Sequence, residues 1–221
     1  MRTQAIQAKV TTSTSFYTYY NVYSSTFSGY VKKVPSGTKV TIMKTSKSTG
    51  AQVRLPDGSE GWISYNAIQI IKGTYYTTED YSKAAKEYYI NKIASKSSST
   101  KYLIWISLYT QHVNIFKGSK GKWELIHSFP CATGRNSCPT PVGTAEVHTK
   151  TPKWYFDNYY CHHITLFDES RGFHSRPTNY DNTIHDYAMG KPASSGCVRM
   201  LDDDCIWIYN NLPIGTTVYL Y

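Results

Sequence analysis

Apolar and polar positions alternate in short runs through the first third of the chain. Ala5–Val10, Phe16–Tyr23, Gly29–Val34, Lys39–Lys44, Gln52–Leu55 and Gly61–Ile63 read as strands, separated by turn signals at Pro35-Ser36-Gly37 and Pro56-Asp57-Gly58. Short strands at this pitch predict a small barrel. The period changes near residue 74. Thr77-Thr78-Glu79-Asp80 offers a helix start with acid in the first turn, and Tyr81, Ala84, Ala85, Tyr88 and Tyr89 follow at helical spacing. Ala94-Ser95-Lys96-Ser97-Ser98-Ser99-Thr100 is polar and reads as a flexible linker. Alternation then resumes in Tyr102–Tyr109 and Val113–Phe116, and Gly118-Ser119-Lys120-Gly121 makes a hairpin turn into Trp123–Ile126. Near the end, Leu201, Cys205, Ile208 and Leu212 fall on one helical face, with Asp202 as the cap and Cys205 as a packed core thiol. Pro213-Ile214-Gly215-Thr216 turns the chain into a last strand, Thr217–Tyr221. The pattern predicts a mainly β protein with a helical junction.

Composition adds limits. At 221 residues the chain is one large domain or two small ones, and its 40% apolar fraction suffices for packed cores. The 21 tyrosines suit amphipathic strands and sugar-facing surfaces. The net charge of +9 is lopsided: residues 1–73 hold nine Lys and Arg against two Asp and Glu. A basic first third points to an anionic polymer, nucleic acid or cell wall, or simply to a solvated basic face. No zinc-finger, helix-turn-helix or RNA-recognition pattern supports nucleic acid. No apolar run approaches membrane-spanning length and no signal-peptide core follows Met1, so an exported form would have lost its targeting segment. The odd cysteine count leaves at least one thiol unpaired among Cys131, Cys138, Cys161, Cys197 and Cys205. Cys131 and Cys138 bracket a loop short enough for a disulfide, and two reduced thiols suit it equally. His162-His163 follow Cys161, but no metal-ligand spacing surrounds them, and no metal is expected.

The candidate chemistry lies in Ala193-Ser194-Ser195-Gly196-Cys197-Val198-Arg199-Met200, preceded by Phe173-His174-Ser175. A thiol needs a nearby base to become the nucleophilic thiolate. Glycine before the thiol lets the backbone bend and aim N–H groups at a developing oxyanion, with Gly196 and Cys197 as the donors. His174 is the first candidate base. His185, in a polar loop, is the second. Arg199 either fixes the loop or grips a substrate carboxylate. Ser195 either hydrogen-bonds within the turn or is exposed.

His174-Ser175, Gly190-Lys191-Pro192 and Ser194-Ser195-Gly196-Cys197-Val198-Arg199-Met200 together resemble the signature of the L,D-transpeptidase (YkuD-type) catalytic domain. Phe129-Pro130-Cys131-Ala132-Thr133-Gly134 and Thr140-Pro141-Val142-Gly143-Thr144 are similar to further elements of that fold. One departure is plain: the family usually has His two residues before the Cys, where this chain has Ser195. Asn21-Val22-Tyr23-Ser24-Ser25, Val34-Pro35-Ser36-Gly37-Thr38-Lys39-Val40 and Asp57-Gly58-Ser59-Glu60-Gly61-Trp62-Ile63 resemble a bacterial SH3 domain. The resemblances imply a bacterial SH3-like domain over 1–73, a helical linker over 74–100 and a sandwich-like β catalytic domain over 101–221. They further imply that the Ser175 carbonyl orients His174, that Trp154 and Tyr155 lie at the substrate cleft, and that no cofactor is used. The implied partners are peptidoglycan stem peptides, anionic wall polymers for the basic first domain, and carbapenem β-lactams that acylate Cys197. The implied place of work is the extracellular cell wall, and the implied reaction is 3-3 cross-linking through a thioester. L,D-carboxypeptidase trimming and non-catalytic wall binding are the alternatives. A papain-like endopeptidase fits less well, because there the Cys precedes the His.

Overall fold

The computed structural model describes residues 6–21, 26–45, 50–71 and 75–221. The expected strand ends at Ala5 and Val22–Tyr23, the motif residues Val22-Tyr23-Ser24-Ser25 and the boundary between residues 73 and 74 lie outside the described residues.

The first unit is a seven-stranded sheet built from β1 (Gln7–Val10), β2 (Thr14–Asn21), β3 (Thr26–Val34), β4 (Lys39–Thr45), β5 (Gly50–Arg54), β6 (Glu60–Ser64) and β7 (Ile68–Ile70). Its strand order is β3-β2-β6-β5-β4-β1-β7. Every second residue turns inward. Ala8, Val10, Val40, Ile42, Val53 and Ile63 therefore meet in one apolar cluster with Phe16 and Val34. Gly61 is needed where β6 crosses β2: a Cβ there would lie 2.4 Å from the Tyr17 carbonyl oxygen.

The junction differs from expectation in two ways. The helix α1 (Lys83–Tyr88) begins at Ser82, whose Oγ accepts from the Ala85 N–H at 3.3 Å. Asp80 lies outside the helix and pairs with the buried Lys86, which also donates to Ser128 Oγ at 2.7 Å. A local partner for a buried ammonium outweighs the dipole benefit of an acid in the first turn. The segment expected to be a flexible linker is instead a strap. Ser98 Oγ accepts from Thr217 N at 3.0 Å, Ser99 Oγ donates to the Gly215 carbonyl at 2.6 Å, and Trp123 Nε1 donates to the Lys96 carbonyl at 2.9 Å. Short hydroxyls can partner backbone groups, so a polar composition did not mean solvation here.

The second unit is a ten-stranded sheet. Its strands are β8 (Tyr102–Ser107), β9 (His112–Lys117), β10 (Glu124–Ala132), β11 (Gly143–Glu146), β12 (Thr149–Tyr155), β13 (Tyr159–Asp168), β14 (Arg171–His174), β15 (Thr178–Asn179), β16 (Val198–Met200) and β17 (Thr217–Leu220). The order is β11-β17-β8-β9-β10-β16-β14-β13-β12, with β15 beside β13. The central strand β8 is buried on both faces. Leu103 and Trp105 pack with Tyr89, Ile90, Phe116 and Tyr219 on one side. Ile104 and Ile106 pack with Val113, Ile115 and Val218 on the other, under the helix α2 (Asp202–Asn211). Cys205, Ile208 and Leu212 of that face are fully buried, but Leu201 is 37% exposed. Asp202 is the first helical residue rather than the cap, and it pairs with Arg176 at 3.1 Å.

Strands β11 to β15 were not legible as an alternating pattern, because the ribbon β12–β13 is rich in Thr, Lys and His and its outer strand is largely solvated. The two units touch where β4 and the turn after β6 meet the loop leading to β11 and the turn between β13 and β14. Lys44 pairs with Asp168 at 3.2 Å, Tyr65 OH donates to the Ser137 carbonyl at 2.8 Å, and Val142 N donates to the Met43 carbonyl at 3.1 Å. Among the described residues no helix is long and apolar enough to cross a membrane.

Candidate active site

β14 and β16 run in parallel, pairing Phe173 with Val198 and His174 with Arg199. Phe173 and Val198 are fully buried in the core. Alternation then sends His174 and Arg199 to the opposite face, together with Cys197, which immediately precedes Val198. All three line one cavity of about 350 Å³. Trp154, Phe156, Tyr159 and Cys161 reach the same cavity from the β12–β13 ribbon, His185 and Asp186 from the loop after β15, and Arg135, Ser194 and Ser195 from the segments flanking the thiol turn.

The imidazole is set by its own neighbour. His174 Nδ1 lies 2.6 Å from the Ser175 carbonyl oxygen. A carbonyl only accepts, so Nδ1 carries the hydrogen and Nε2 keeps its lone pair. Ser175 is fully buried; its Oγ accepts from His162 N at 2.9 Å and donates to the Arg176 carbonyl at 3.1 Å. Burial lowers His174 to about 4, with the Arg199 charge acting in the same direction and the Ser175 bond opposing them. His174 is therefore neutral at neutral pH, as a general base must be.

Proton linkage gives this a measurable consequence. The unfolded chain protonates His174 below about 6.5 and the folded chain only below about 4, so in that window the unfolded state holds more protons. Its contribution to stability is complete above pH 6.5 and is lost as pH falls towards 4, by about 3 kcal/mol in all. Thermal unfolding from pH 7 to pH 4 should therefore steepen less with pH in His174→Gln than in wild type. Parallel pH profiles for the two proteins would contradict the assignment.

The thiol turn is braced from within. Gly196 has φ +106, a conformation reserved for glycine. Its N–H was expected to serve an oxyanion, but it donates to Ser194 Oγ at 3.1 Å, and the Ser194 hydroxyl donates to the Cys197 carbonyl at 2.5 Å. Cys197 Sγ lies 3.8 Å from the Ser170 carbonyl oxygen. Thr140 Oγ1 donates to the Gly196 carbonyl at 3.0 Å. Ser195 is exposed, and its Oγ accepts from Arg135 Nη1 at 2.7 Å.

Several expectations shift. Arg199 is 5% exposed, pairs with Asp186 at 2.8 Å and donates to the Ala188 carbonyl at 3.2 Å. That geometry suits fixing the loop after β15, not capturing a substrate carboxylate. Trp154 lines the cavity, but Tyr155 does not. Strand alternation turns it away, 67% exposed and near Tyr160. His185 sits at the exposed rim, its Nδ1 2.7 Å from Asn179 Oδ1 and its ring stacked on Tyr159. All five cysteines are thiols. Cys131 is buried in β10, and the Cys138 thiol reaches the Ser195 carbonyl oxygen at 3.2 Å instead of closing the loop. Burial pushes Cys161 up to about 12, so it stays protonated beside Cys197. Among the described residues no group of three or more His, Cys, Asp and Glu is placed to hold a metal ion.

Sequence reasoning missed Arg135, Ser194, Tyr159 and Asp186. The signal for Arg135 was present: a cation directly after Thr133-Gly134, at the end of a strand, where the chain leaves the sheet.

Comparison with known proteins identifies the family of the second unit. The family model described as the L,D-transpeptidase catalytic domain, YkuD, matches residues 101–220. The candidate L,D-transpeptidase YciB of Bacillus subtilis is 29% identical over 89 residues, 37% of this chain and 46% of that protein. YqjB of the same organism, also a candidate L,D-transpeptidase, is 28% identical over 102 residues, 42% of this chain and 57% of that protein. The chain thus spans about half the length of these relatives. Among solved structures, a fused Zn-dependent amidase/peptidase/peptidoglycan-binding domain-containing protein from Clostridium acetobutylicum superposes with a TM-score of 0.54 at 32% identity, covering 63% of this chain and 59% of that one. Since the matched catalytic domain makes up more than half of its residues, the chain belongs to the YkuD family of L,D-transpeptidase catalytic domains.

Proposed function

We propose that this protein is a cysteine acyltransferase that cross-links peptidoglycan stem tetrapeptides. The observation that carries the reading is the shared cavity of His174 and Cys197, with His174 Nδ1 tied to the Ser175 carbonyl and its ring held neutral. Cys197 gives its proton to His174 Nε2 as sulfur attacks the carbonyl between the third residue, a diamino acid, and the fourth, D-Ala. The tetrahedral oxyanion forms at the thiol turn, near the buried guanidinium of Arg199, whose field favours negative charge in the cavity. The carbon–nitrogen bond breaks, His174 returns the proton to the departing D-Ala amine, and a thioester remains on Cys197. The side-chain amine of a second stem attacks the thioester, joins two third-position residues and restores the thiol. Attack by water instead would release a tripeptide, the carboxypeptidase outcome. A carbapenem carbonyl would enter the same cavity, and opening of its ring would leave Cys197 acylated.

We assign the basic first unit to wall attachment through anionic polymers as an SH3-like module, and we place the protein outside the cell. The direct test is incubation with a purified disaccharide-tetrapeptide, followed by mass analysis. A dimer that has lost one D-Ala is expected. A tripeptide alone would assign trimming. Neither product, with no acyl adduct on Cys197, would overturn the reading.

A further inference from the structure

Two arginines line the cavity, and their environments differ. Arg199 is buried against Asp186. Arg135 is exposed, and among the described residues it forms no ion pair. Its guanidinium is nonetheless held in place. Nε donates to Ser137 Oγ at 3.1 Å, and Nη1 donates to Ser195 Oγ at 2.7 Å and to the Ser194 carbonyl at 3.5 Å. Its backbone is fixed as well: Arg135 N donates to the Ser194 carbonyl at 2.9 Å, and Gly134 bridges Ser194. Nη2 makes no hydrogen bond among the described residues. A guanidinium anchored through Nε and Nη1, with Nη2 left to donate at a cavity, is suited to a carboxylate.

Its position relative to the thiol determines which carboxylate. Arg135 is anchored to Ser195, two residues before Cys197. Consecutive α-carbons are about 3.8 Å apart, so the anchor lies within roughly two residues' reach of the reacting sulfur. When a scissile carbonyl meets Cys197, a terminal carboxylate one residue further along the substrate falls at a comparable distance. A stem ending one residue after the scissile bond presents its carboxylate there, whereas a longer stem presents a neutral amide.

We propose that Arg135 binds the terminal carboxylate of the departing residue, and that it thereby selects stems ending one residue beyond the cleaved bond. Ser195 takes part by supporting the guanidinium. Where the family resemblance places a bulkier imidazole, this chain has a hydroxyl that accepts from Arg135. The proposal rests on the acyl-transfer reading above.

The test compares the disaccharide-tetrapeptide with its C-terminal carboxamide, measuring thioester formation on Cys197 by intact-protein mass over time. A charge-assisted hydrogen bond to a carboxylate corresponds to about a 10- to 100-fold preference. Wild type should favour the free acid by about that factor. Arg135→Ala should lower kcat/KM for the acid, mainly through KM, about 10- to 100-fold more than for the amide, so that the preference disappears. Arg135→Lys should recover part of the preference. Equal use of acid and amide by wild type, or an equal loss on both in Arg135→Ala, would overturn the proposal alone. If wild type acylates with neither stem while iodoacetamide still alkylates Cys197, the acyl-transfer reading falls, and this inference falls with it.

Discussion

Cys197→Ala should abolish cross-linking and trimming of stem peptides and remove the carbapenem adduct from the intact-protein mass spectrum. Without that sulfur no thiolate forms in the cavity, because Cys161, the other thiol lining it, is held protonated by burial. Loss of a covalent nucleophile costs more than about 10³-fold in kcat/KM. The fold should survive. Cys197 is half-buried, immediately before a three-residue strand, and its sulfur lies 3.8 Å from the Ser170 carbonyl oxygen. A substitution of this kind changes stability by about 1 kcal/mol or less. An unchanged melting curve with no turnover and no adduct is therefore the expected result. Turnover retained in Cys197→Ala would end the cysteine mechanism.

Gly196→Ala should be the second most damaging change, and for a geometric reason. With φ at +106, any L side chain is strained, by about 1–3 kcal/mol. The space is also taken: an added Cβ would lie 2.6 Å from Arg171 Nε and 3.2 Å from its Cδ. Arg171 is 6% exposed and cannot yield easily. Its Nη1 donates to Asp168 Oδ2 at 3.0 Å, and its Nη2 donates to the Thr45 carbonyl in the first unit. The thiol turn must move instead. A displacement of about 1 Å in a catalytic group costs on the order of 10²-fold in rate. The check is thioester formation in Gly196→Ala under conditions where circular dichroism shows a folded protein. A wild-type rate there would mean that the turn tolerates the shift.

Arg171 also shows how the first unit reaches the site. It connects the Thr45 carbonyl of β4 to the glycine next to Cys197, while Asp168, its partner, is paired with Lys44. The thiol turn is thus packed on an arginine whose hydrogen bonds come from both units.

Much of this was legible in the chain. Alternation located six of the seven first-unit strands, with described ends up to three residues off, since Lys39–Thr45 and Glu60–Ser64 keep one apolar face; the three-residue β7 was not anticipated. The apolar stripe Cys205, Ile208 and Leu212 located α2. His174, Ser175 and Cys197 stood out through their resemblance to the YkuD signature, and the structure adds where they lie: His174 and Cys197 at one cavity, with the Ser175 carbonyl against His174 Nδ1. The ribbon β12–β13 was illegible because its polar side chains carry no alternation.

Local chemistry determined the kinds of groups present: a thiol on a glycine turn, an imidazole with a carbonyl beside it, strands with one wet face. Those properties depend on residues a few positions apart, so they can be read along the chain. Only the tertiary structure decided which groups share a cavity and which are already engaged. It buried Arg199 against Asp186, left Arg135 open at the cavity, turned Tyr155 away and engaged the Gly196 N–H with Ser194. Such choices come from contacts between residues far apart in sequence, where burial and competing partners set each group's charge and reach.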